Sequence, residues 1–318
     1  MKIDFCPLCG QSQDLPFDQR SFASIPVSNR LCAHCGLVYQ SPRMSDAELD
    51  AFYQQEYRQL YQGSPGPSPK DLAVQVDRAG VLVSFAQGLI PRIESHLDIG
   101  CSAGLLLQGF QHAYGCRSVG VEPGTAYREY VQAQGLTVFA SLDDLPPTRF
   151  DLVSLAHVLE HIPDPRAYLA RLRQVWLAQT GWLLVEVPNL YGHDCFEPAH
   201  LVSYSPHTLE QMLKQAGFQV RACDIHGRPR SAILPLYITV LAQPLDSGLS
   251  LDVGQAVILN QASLNQASLT PSGVVAEHSV RRKRRLAMLR RRLLTRLYPR
   301  KAWLPIRLPP DPSNSPTS

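Results

Sequence analysis

The chain has 318 residues, of which 45% are hydrophobic and 18% are charged. This composition excludes a disordered protein, and the length allows one α/β domain with small appendages. No run approaches the ~18 consecutive apolar residues of a membrane-spanning helix, and a cysteine pair stands where a secretory signal would have an apolar stretch. We therefore expect a cytoplasmic protein, whose eight cysteines are metal ligands or free thiols rather than disulfides.

The net charge of +3 is unevenly distributed along the chain. Residues 1–70 hold 6 Lys/Arg and 7 Asp/Glu, a net charge of −1, and residues 71–275 hold 12 and 18, a net charge of −6. Residues 276–318 hold 12 and 2, a net charge of +10. Any attraction to an anionic surface should therefore come from the C-terminal segment.

Two cysteine pairs mark the first segment, residues 1–62. Cys6 and Cys9 form one Cys-x2-Cys pair, Cys32 and Cys35 form the second, and 22 residues separate the pairs. Four thiolates complete a tetrahedral shell around Zn²⁺ and leave no open position, so the spacing predicts a structural zinc ribbon, followed by a lead-in helix. The segment has no Lys/Arg cluster, which argues against nucleic-acid binding.

After a linker at residues 63–70, which is rich in Pro, Gly and Ser, residues 71–245 alternate short apolar runs with helical patterns. The predicted strands are Ile93–Ile99, Ser118–Val121, Thr137–Phe139, Phe150–Leu155, Trp182–Val187, Phe218–Asp224 and Leu236–Ala242. Helices between most of these runs indicate βαβ units, whereas the last two should pair as an antiparallel edge hairpin. The predicted fold class is a Rossmann-like α/β domain with a seven-stranded, mostly parallel sheet.

A glycine-containing loop follows the first predicted strand of this domain. Asp98 lies near the end of that strand and Gly100 and Gly104 lie in the loop, and the glycines let a ligand approach the backbone at the end of the strand. Glu122 ends the second strand, where a carboxylate can accept hydrogen bonds from both ribose hydroxyls of an adenosine. The spacing Asp-x-Gly-x-x-x-Gly differs from that of pyrophosphate-binding loops and favours a nucleoside ligand without a phosphate.

These motifs resemble those of class I S-adenosylmethionine-dependent methyltransferases. The similarity extends to Phe150–Pro165, Trp182–Asn189 and His200–Phe218, and Cys35–Arg43 is similar to the zinc-ribbon lead-in of the branch that includes deoxysugar C-methyltransferases. The resemblance implies the following donor-binding residues: Asp98, Gly100, Ser102 and Gly104 beside the methionine and ribose, Glu122 at the ribose, Ser141 and Leu142 with the neighbouring Asp143 at the adenine, and Ala156 and His157 on the other face of the donor.

Methyl transfer from a sulfonium requires in-line placement more than acid–base chemistry, but an oxygen or carbon acceptor must also lose a proton. The candidates for the base are Glu160, His161, His200 and Tyr204. For Glu160 and His161 the alternative is helix capping and packing, and for His200 it is a structural or substrate-positioning role. We predict His200 as the general base, because a histidine is largely neutral near pH 7 and can accept a proton.

Residues 246–304 are predicted as a helical extension with a basic amphipathic helix, and residues 305–318 as a disordered tail. Residues 281–301 contain eleven Lys/Arg and, on one helical stripe, Leu286, Leu289, Leu293 and Leu297. Such a helix suits an anionic membrane surface, with the protein peripheral at the inner face of the membrane, or an acidic partner. The alternatives are that the leucines dock on the protein body, or that the arginines contact RNA.

The sequence therefore predicts a zinc-containing, S-adenosylmethionine-dependent methyltransferase that acts on a small molecule or on a glycan or lipid-linked sugar precursor. The alternatives are an RNA methyltransferase and a non-catalytic protein that binds the donor. The acidic ribbon argues against RNA, and the intact pair of Asp98 and Glu122 argues against a non-catalytic protein. The sequence leaves the acceptor atom and the oligomeric state open.

Overall fold

The computed structural model describes residues 1–55, 60, 66–194, 196–245, 257–258 and 277–306. The strands of this part are β1 Asp14–Phe22, β2 Ile25–Cys32, β3 Val38–Gln40, β4 Ser95–Ile99, β5 Arg117–Val121, β6 Thr137–Phe139, β7 Phe150–Ala156, β8 Leu177–Pro188, β9 Val202–Ser203, β10 Phe218–His226, β11 Tyr237–Pro244 and β12 Val257–Ile258. The α-helices are α1 Asp46–Gln55, α2 Pro69–Gln87, α3 Leu105–Tyr114, α4 Thr125–Ala133, α5 Pro165–Val175, α6 Pro206–Gln215, α7 Glu277–Leu297 and α8 Pro299–Ala302.

The larger sheet has the strand order β12-β10-β11-β8-β7-β4-β5-β6. Its strands pair in parallel except for β11, which runs antiparallel to both β8 and β10. The prediction of a seven-stranded, mostly parallel sheet with an antiparallel hairpin is confirmed. The two-residue strand β12, which the sequence analysis missed, adds an eighth member beside β10.

Both faces of this sheet are buried, as expected for parallel strands joined by crossover helices. Successive residues of β7 show this, because Val153 packs in one core cluster and Leu152 in the other. The first cluster includes Leu169 of α5, and the second includes Phe110 of α3. The alternation follows from the two-residue period of a strand.

The first helix of the α/β domain begins inside the segment expected to be a linker. Ser68 caps α2 by accepting a hydrogen bond from the Asp71 amide, the Asp71 carboxylate accepts from the Ser68 amide, and Pro69 occupies the first helical turn. This capping box fixes the start of the helix. The preceding part of the expected linker, residues 63–65, lies outside the described residues.

The N-terminal hairpin joins the body through a shared sheet. The small sheet has the order β1-β2-β3-β9, and β9 belongs to the loop after β8 rather than to the first segment. Val38 pairs with Ser203 and Tyr39 with Val202, and the Gln40 amide donates to the Leu201 carbonyl at 2.8 Å. The first segment and the α/β domain are thus connected by backbone hydrogen bonds as well as by sequence.

The C-terminal helices α7 and α8 pack on residues at and just before the start of β11. Leu294 of α7 and the fully buried Ala302 of α8 contact a cluster formed by Leu234, Leu236 and Tyr237. Within the described residues, no helix is both long enough and apolar enough to cross a bilayer. Most of the extension before α7, and the tail from residue 307 onward, lie outside the described residues, so their predicted character stays a prediction.

Candidate functional site

The four ribbon cysteines converge on one point. Their sulfur atoms lie within 4.8 Å of one another, and the Cys6–Cys35 and Cys9–Cys32 pairs are both separated by 3.5 Å. Sulfurs around a tetrahedral zinc ion with ~2.3 Å bonds stand ~3.8 Å apart, so this cluster fits Zn²⁺. None of these four thiols forms a disulfide, which is consistent with the predicted ligand set.

The remaining candidate residues gather at the C-terminal edge of the larger sheet. Asp98 lies in β4, Glu122 directly follows the adjacent β5, and Ala156 ends β7 on the other side of β4. The carboxyl ends of parallel strands share one edge, where open α/β sheets bind their ligands. The structure therefore brings these three predicted donor-binding positions together.

The loop after β4 adopts backbone conformations that suit close approach of a ligand. Gly100 and Gly104 have φ angles of 73° and 77°, and a Cβ atom on Gly100 would stand 2.5 Å from a Val158 methyl group. Ser102 has a φ of 49°, which is an uncommon conformation for a residue with a side chain. Such local strain is typical of functional loops when neighbouring contacts hold it in place.

Glu122 supplies one of those contacts. Its Oε2 accepts a hydrogen bond from the Ser102 amide at 3.0 Å, and its Oε1 accepts from the Gly124 amide at 2.9 Å. The side chain is buried. Each carboxylate oxygen has two lone pairs, so the same group can hold the loop and still accept from ribose hydroxyls.

Asp98 lies beside this carboxylate in a desolvated position. Burial raises its pKa to about 7, the nearby Glu122 charge contributes in the same direction, and a hydrogen bond from the Ser154 hydroxyl to Oδ1 (2.5 Å) acts in the opposite one. A carboxyl with this pKa is only partly ionised near neutral pH. A cation bound next to it would favour the charged form.

Two residues of α2 support the loop and the sheet edge, and the sequence analysis missed both. Gln75 Nε2 donates to the Ser102 hydroxyl at 3.3 Å, and Gln75 Oε1 accepts from the Ala103 amide at 3.2 Å. Arg78 Nε lies 2.9 Å from Glu186 Oε1. No motif marks them, because they precede the first strand of the domain and are recognisable only by their contacts.

The predicted adenine-side residues lie in the 3-10 turn Leu142–Asp144. The amide and hydroxyl of Ser141 both donate to Asp144 Oδ2 at 2.9 Å, which fixes the turn, and Leu142 packs against the core. Asp143 Oδ1 accepts from Arg171 Nη2 at 2.9 Å at the surface. The contact of Ser141 and Leu142 with the adenine stays a prediction. Asp143 forms an ion pair with Arg171 instead of standing without a partner beside this turn.

His157 connects two buried carboxylates at the end of β7. Its Nε2 lies 3.2 Å from Glu186 Oε1, and its Nδ1 lies 3.3 Å from Glu160 Oε1. Glu186 is fully buried in β8. Burial alone would raise its pKa, but Arg78 and the hydrogen bonds from His157 and His226 hold that pKa well below its usual value. Glu186, like Gln75 and Arg78, is a residue of the site that sequence reasoning missed.

Glu160 and His161 form the next part of this polar cluster. Burial would raise the Glu160 pKa, but hydrogen bonding to His157 and the charges of the surrounding histidines lower it to about 2. His161 Nδ1 lies 2.9 Å from the Ala199 carbonyl, and burial lowers the His161 pKa to about 4. Near neutral pH the cluster therefore contains a charged carboxylate facing a neutral imidazole.

His200 completes the cluster and has a carboxylate partner. Its Nε2 lies 2.9 Å from Glu197 Oε1, and its ring centroid is 4.8 Å from that of His161. Ligand atoms of Glu160, His161 and His200 lie within 4.8 Å of one another, close enough to share a cation or a proton. Glu160 and His200 also line a small cavity, together with Pro188, Asn189, Leu190, His193, Phe196, Val202 and Ser203.

Tyr204 differs from the other base candidates in its surroundings. Its side chain is fully buried, and burial raises its pKa well above the usual value. The hydroxyl therefore stays protonated near neutral pH and is a poor proton acceptor. The role of Tyr204 as a base stays a prediction, which this burial disfavours.

Comparison with known proteins bears on the same region. Residues 75–222 match the sequence profile of a family described as a methyltransferase domain. This range begins at Gln75 in α2 and ends in β10, so it includes the glycine-containing loop, both carboxylates at the strand ends and the histidine cluster. The ribbon and the C-terminal helices lie outside it.

Two curated relatives and one solved structure show how far the similarity reaches. Ubiquinone biosynthesis O-methyltransferase from Rhodopseudomonas palustris (strain BisB5) is 32% identical over 101 residues, covering 29% of this chain and 39% of the relative. The protein of that name from Methylococcus capsulatus is 34% identical over 85 residues, covering 23% and 35%. The chain thus spans less than two fifths of the length of these relatives.

The solved structure is that of 1,6-didemethyltoxoflavin-N1-methyltransferase from Burkholderia thailandensis, with bound 1,6-didemethyltoxoflavin and S-adenosylhomocysteine. It is 18% identical, covers 66% of this chain and 96% of that chain, and gives a TM-score of 0.52. At this identity the likeness concerns the fold alone. The two curated relatives and this solved structure do not point to the deoxysugar C-methyltransferase branch in particular.

Proposed function

We propose that the protein transfers a methyl group from S-adenosylmethionine to a small molecule or to a glycan or lipid-linked sugar precursor, and the match of residues 75–222 to a methyltransferase domain supports this. One observation carries the proposal. Asp98 and Glu122 are buried carboxylates at the ends of adjacent strands, on either side of the strained loop that contains Gly100 and Ser102.

The donor's charges and hydroxyls match these groups. Its methionine portion carries an ammonium group, which would pair with Asp98 and shift that carboxyl to its ionised form. Its ribose hydroxyls would donate to Glu122, whose two oxygens already accept from backbone amides and are thereby fixed in position. Gln75 supports this arrangement through its contacts with Ser102 and Ala103.

On the acceptor side, we propose His200 as the general base. If Nε2–H donates to Glu197, Nδ1 carries the lone pair that can accept a proton. The methyl group would then pass from the donor sulfur to the acceptor oxygen or carbon, the sulfonium would become a neutral thioether, and the acceptor's proton would move to His200. The pairing with Glu197 orients the imidazole and stabilises its protonated form.

Glu160 would assist electrostatically rather than by accepting the proton. Its low pKa makes it a weak base, but its buried negative charge acts on the neighbouring histidines. A cationic His200 is therefore more stable beside Glu160 than it would be alone. His161 positions these groups through its contact with the Ala199 carbonyl.

Two features bear on the class of the acceptor. The relatives carry names of an O-methyltransferase and an N-methyltransferase that act on small molecules. The local sequence Ala199-His200 differs from the Glu-His pair of deoxysugar C-methyltransferases, and Glu197, three residues before His200, supplies the carboxylate instead. An oxygen acceptor that must lose a proton fits this arrangement.

The test is transfer of a labelled methyl group from S-adenosylmethionine into separate polar-metabolite and lipid extracts. Label should enter one of them with the wild-type protein and should be lost with Glu122→Ala. Once the acceptor is purified, His200→Gln should reduce the single-turnover rate by ~10²- to 10⁴-fold and remove the acid limb of the pH profile. His112→Gln, at an exposed helical position, is the matched control.

Two outcomes would contradict parts of the proposal. Absence of donor binding to wild-type protein would remove the methyltransferase function. A His200→Gln protein that keeps its rate and loses only acceptor affinity would make His200 a positioning residue, and the acceptor would then be a nucleophile that needs no base.

A further inference from the structure

Helix α7 is attached to the body through its basic side chains. Arg284 donates to the carbonyls of Leu190 and His193 and to Asp194 Oδ1, the last two at 3.2 and 3.0 Å. Arg291 Nη1 donates to the Gly192 carbonyl at 3.1 Å. These arginines bind residues 190–194, and Leu190 and His193 of this segment line the small cavity beside Glu160 and His200.

Further contacts fix the two ends of this helical pair. At the start of α7, Val280 is buried in a cluster with Leu31 and Phe196, and Arg281 lies over the Phe17 ring with 5.5 Å between guanidinium and centroid. At the end of α8, the Ala232 amide donates to the Lys301 carbonyl at 2.9 Å. The helix therefore has a defined inner face, and its orientation on the body is fixed.

The leucine stripe lies on the opposite, outer face. Leu286, Leu289, Leu293 and Leu297 are 56%, 54%, 56% and 57% exposed, respectively. In the sequence-based alternative, these leucines dock on the body and the arginines are solvated. The structure has the opposite arrangement, because the four leucines are exposed and Arg284 and Arg291 contact the body. Four exposed leucines on one helical face form a continuous apolar strip, which is unusual for a helix that faces only water.

Basic residues flank this strip on both sides. At 100° per residue, Arg285, Arg292 and Arg296 fall on one side of the leucines, and Lys283 and Arg290 fall on the other, and all five are exposed. Residues 281–301 contain no Asp or Glu. The outer face is thus an apolar strip between two rows of cations, and Tyr298 and Trp303, which are 52% and 41% exposed, follow at its end.

We propose that α7 lies in the plane of an anionic lipid bilayer, with the leucine strip at the boundary of the acyl chains and the flanking cations among the headgroups. An interfacial helix has this arrangement of one apolar face with Lys/Arg at its margins. Exposed Tyr and Trp side chains favour the same interfacial depth. Each basic residue near an anionic surface adds to the attraction, and the long Arg and Lys stems reach the headgroups while their apolar parts stay with the leucines.

The same features disfavour other occupants. A nucleic acid would require the cations at the centre of the contact, where this helix has leucines. A second copy of α7 would bring two uninterrupted rows of positive charge together, and their repulsion would oppose burial of the leucines. An anionic bilayer accommodates both the charge and the apolar strip.

A cleft beside the strip offers room for a headgroup. It has a volume of about 290 Å³ and lies between β1 and α7, and its lining includes Phe17 and Asp18 of β1 and Arg281, Arg284, Arg285 and Arg292 of α7. Asp18 is the single acidic residue of this lining and is paired with Arg20 at 2.6 Å. The positive balance of the cleft suits the phosphate of an anionic lipid.

Bilayer contact would also bring the lipid surface close to the acceptor side, because Arg284 and Arg291 bind residues 190–193. A lipid-linked acceptor fits this geometry, and that consequence rests on the proposed function. The binding of α7 to a bilayer does not rest on the proposed function, because it can be measured without any methyl transfer.

The experiment is co-sedimentation of the full chain with vesicles of phosphatidylcholine alone and with phosphatidylglycerol added. The wild-type protein should bind the anionic vesicles, and binding should weaken as salt is raised. The double variant Leu289→Ser/Leu293→Ser should lower partitioning by at least ~10-fold, because two side chains would no longer leave water. Both leucines are exposed, so the fold should be retained, and unchanged S-adenosylmethionine affinity by calorimetry would verify this.

Val175→Ser, at an exposed apolar position on α5, is the matched control and should bind vesicles as the wild type does. A second variant, Arg285→Gln/Arg292→Gln, should show a weaker preference for anionic over neutral vesicles than the wild type. Equal sedimentation of the wild type and the leucine double variant would overturn the proposal. So would a leucine-dependent dimer in analytical ultracentrifugation without vesicle binding, or binding to RNA but not to vesicles. Loss of donor binding with intact vesicle binding would refute the proposed function alone.

Discussion

Replacement of Glu122 by alanine should weaken S-adenosylmethionine binding substantially. The carboxylate is 2% exposed, and each of its oxygens accepts one backbone hydrogen bond, from Ser102 and Gly124. Ribose hydroxyls would add two further hydrogen bonds to a charged acceptor, each worth about 1.5–3 kcal/mol. Water can enter the space left by the side chain, so we take about 1.5 kcal/mol as the lower limit, which is more than a ten-fold increase in Kd.

The same change should also lower stability. The amides of Ser102 and Gly124 would lose their acceptor, at a cost of about 1–3 kcal/mol for each amide that stays unpaired. Donor affinity should therefore be measured by titration calorimetry at a temperature well below the unfolding midpoint of the variant. Glu122→Gln retains one carboxamide oxygen and should fall between the wild type and the alanine variant.

Glu129→Ala, at an exposed position on α4, is the control and should bind the donor normally. Equal donor affinity in wild type and Glu122→Ala would refute the assignment of Glu122 to the ribose, even if the variant were less stable. A loss of affinity in Glu129→Ala of the same size would indicate a general effect of charge rather than a specific contact.

Three further predictions concern the donor loop and the ribbon. Donor affinity should rise as pH increases through about 7, because Asp98 gains its charge there and can pair with the donor's ammonium; calorimetry should find this dependence absent in Asp98→Asn. Gln75→Ala should weaken donor binding by about 1 kcal/mol, since the loop loses two contacts, and an unchanged Kd would contradict its supporting role. Elemental analysis should find one zinc per chain, absent after Cys32→Ser/Cys35→Ser, with a lower unfolding midpoint and donor affinity largely retained.

The donor side of the site could be read from the sequence because its signals are local. Asp98, Gly100 and Gly104 lie within one strand and the turn after it, and Glu122 follows at the end of the next strand. The supporting residues could not be predicted in this way. Gln75 contacts a loop 27 residues away and Arg78 contacts β8, and each looks like any other polar residue on a helix.

The C-terminal helix illustrates a different limit. Its pattern predicted the helix and the leucine stripe, because both follow from a period of 3.6 residues. Which face touches the body depends on carbonyl groups at 190–193, whose position is set by the tertiary fold. Arginine side chains donate to those carbonyls, so the face that contains Arg284 and Arg291 packs on the body. The leucine face, which is the more apolar of the two, is exposed.

The pairing of β3 with β9 limits how far the ribbon can be exchanged or shortened. A chain that began at α2 would leave Val202 and Ser203 as an unpaired strand edge, which invites association with other molecules. The loop that contains Glu197 and His200 would lose the neighbour that Gln40 provides through its hydrogen bond to the Glu197 carbonyl. A ribbon grafted from a relative would therefore have to match this strand register, so the first forty residues and the 197–204 loop should vary together as one inherited unit.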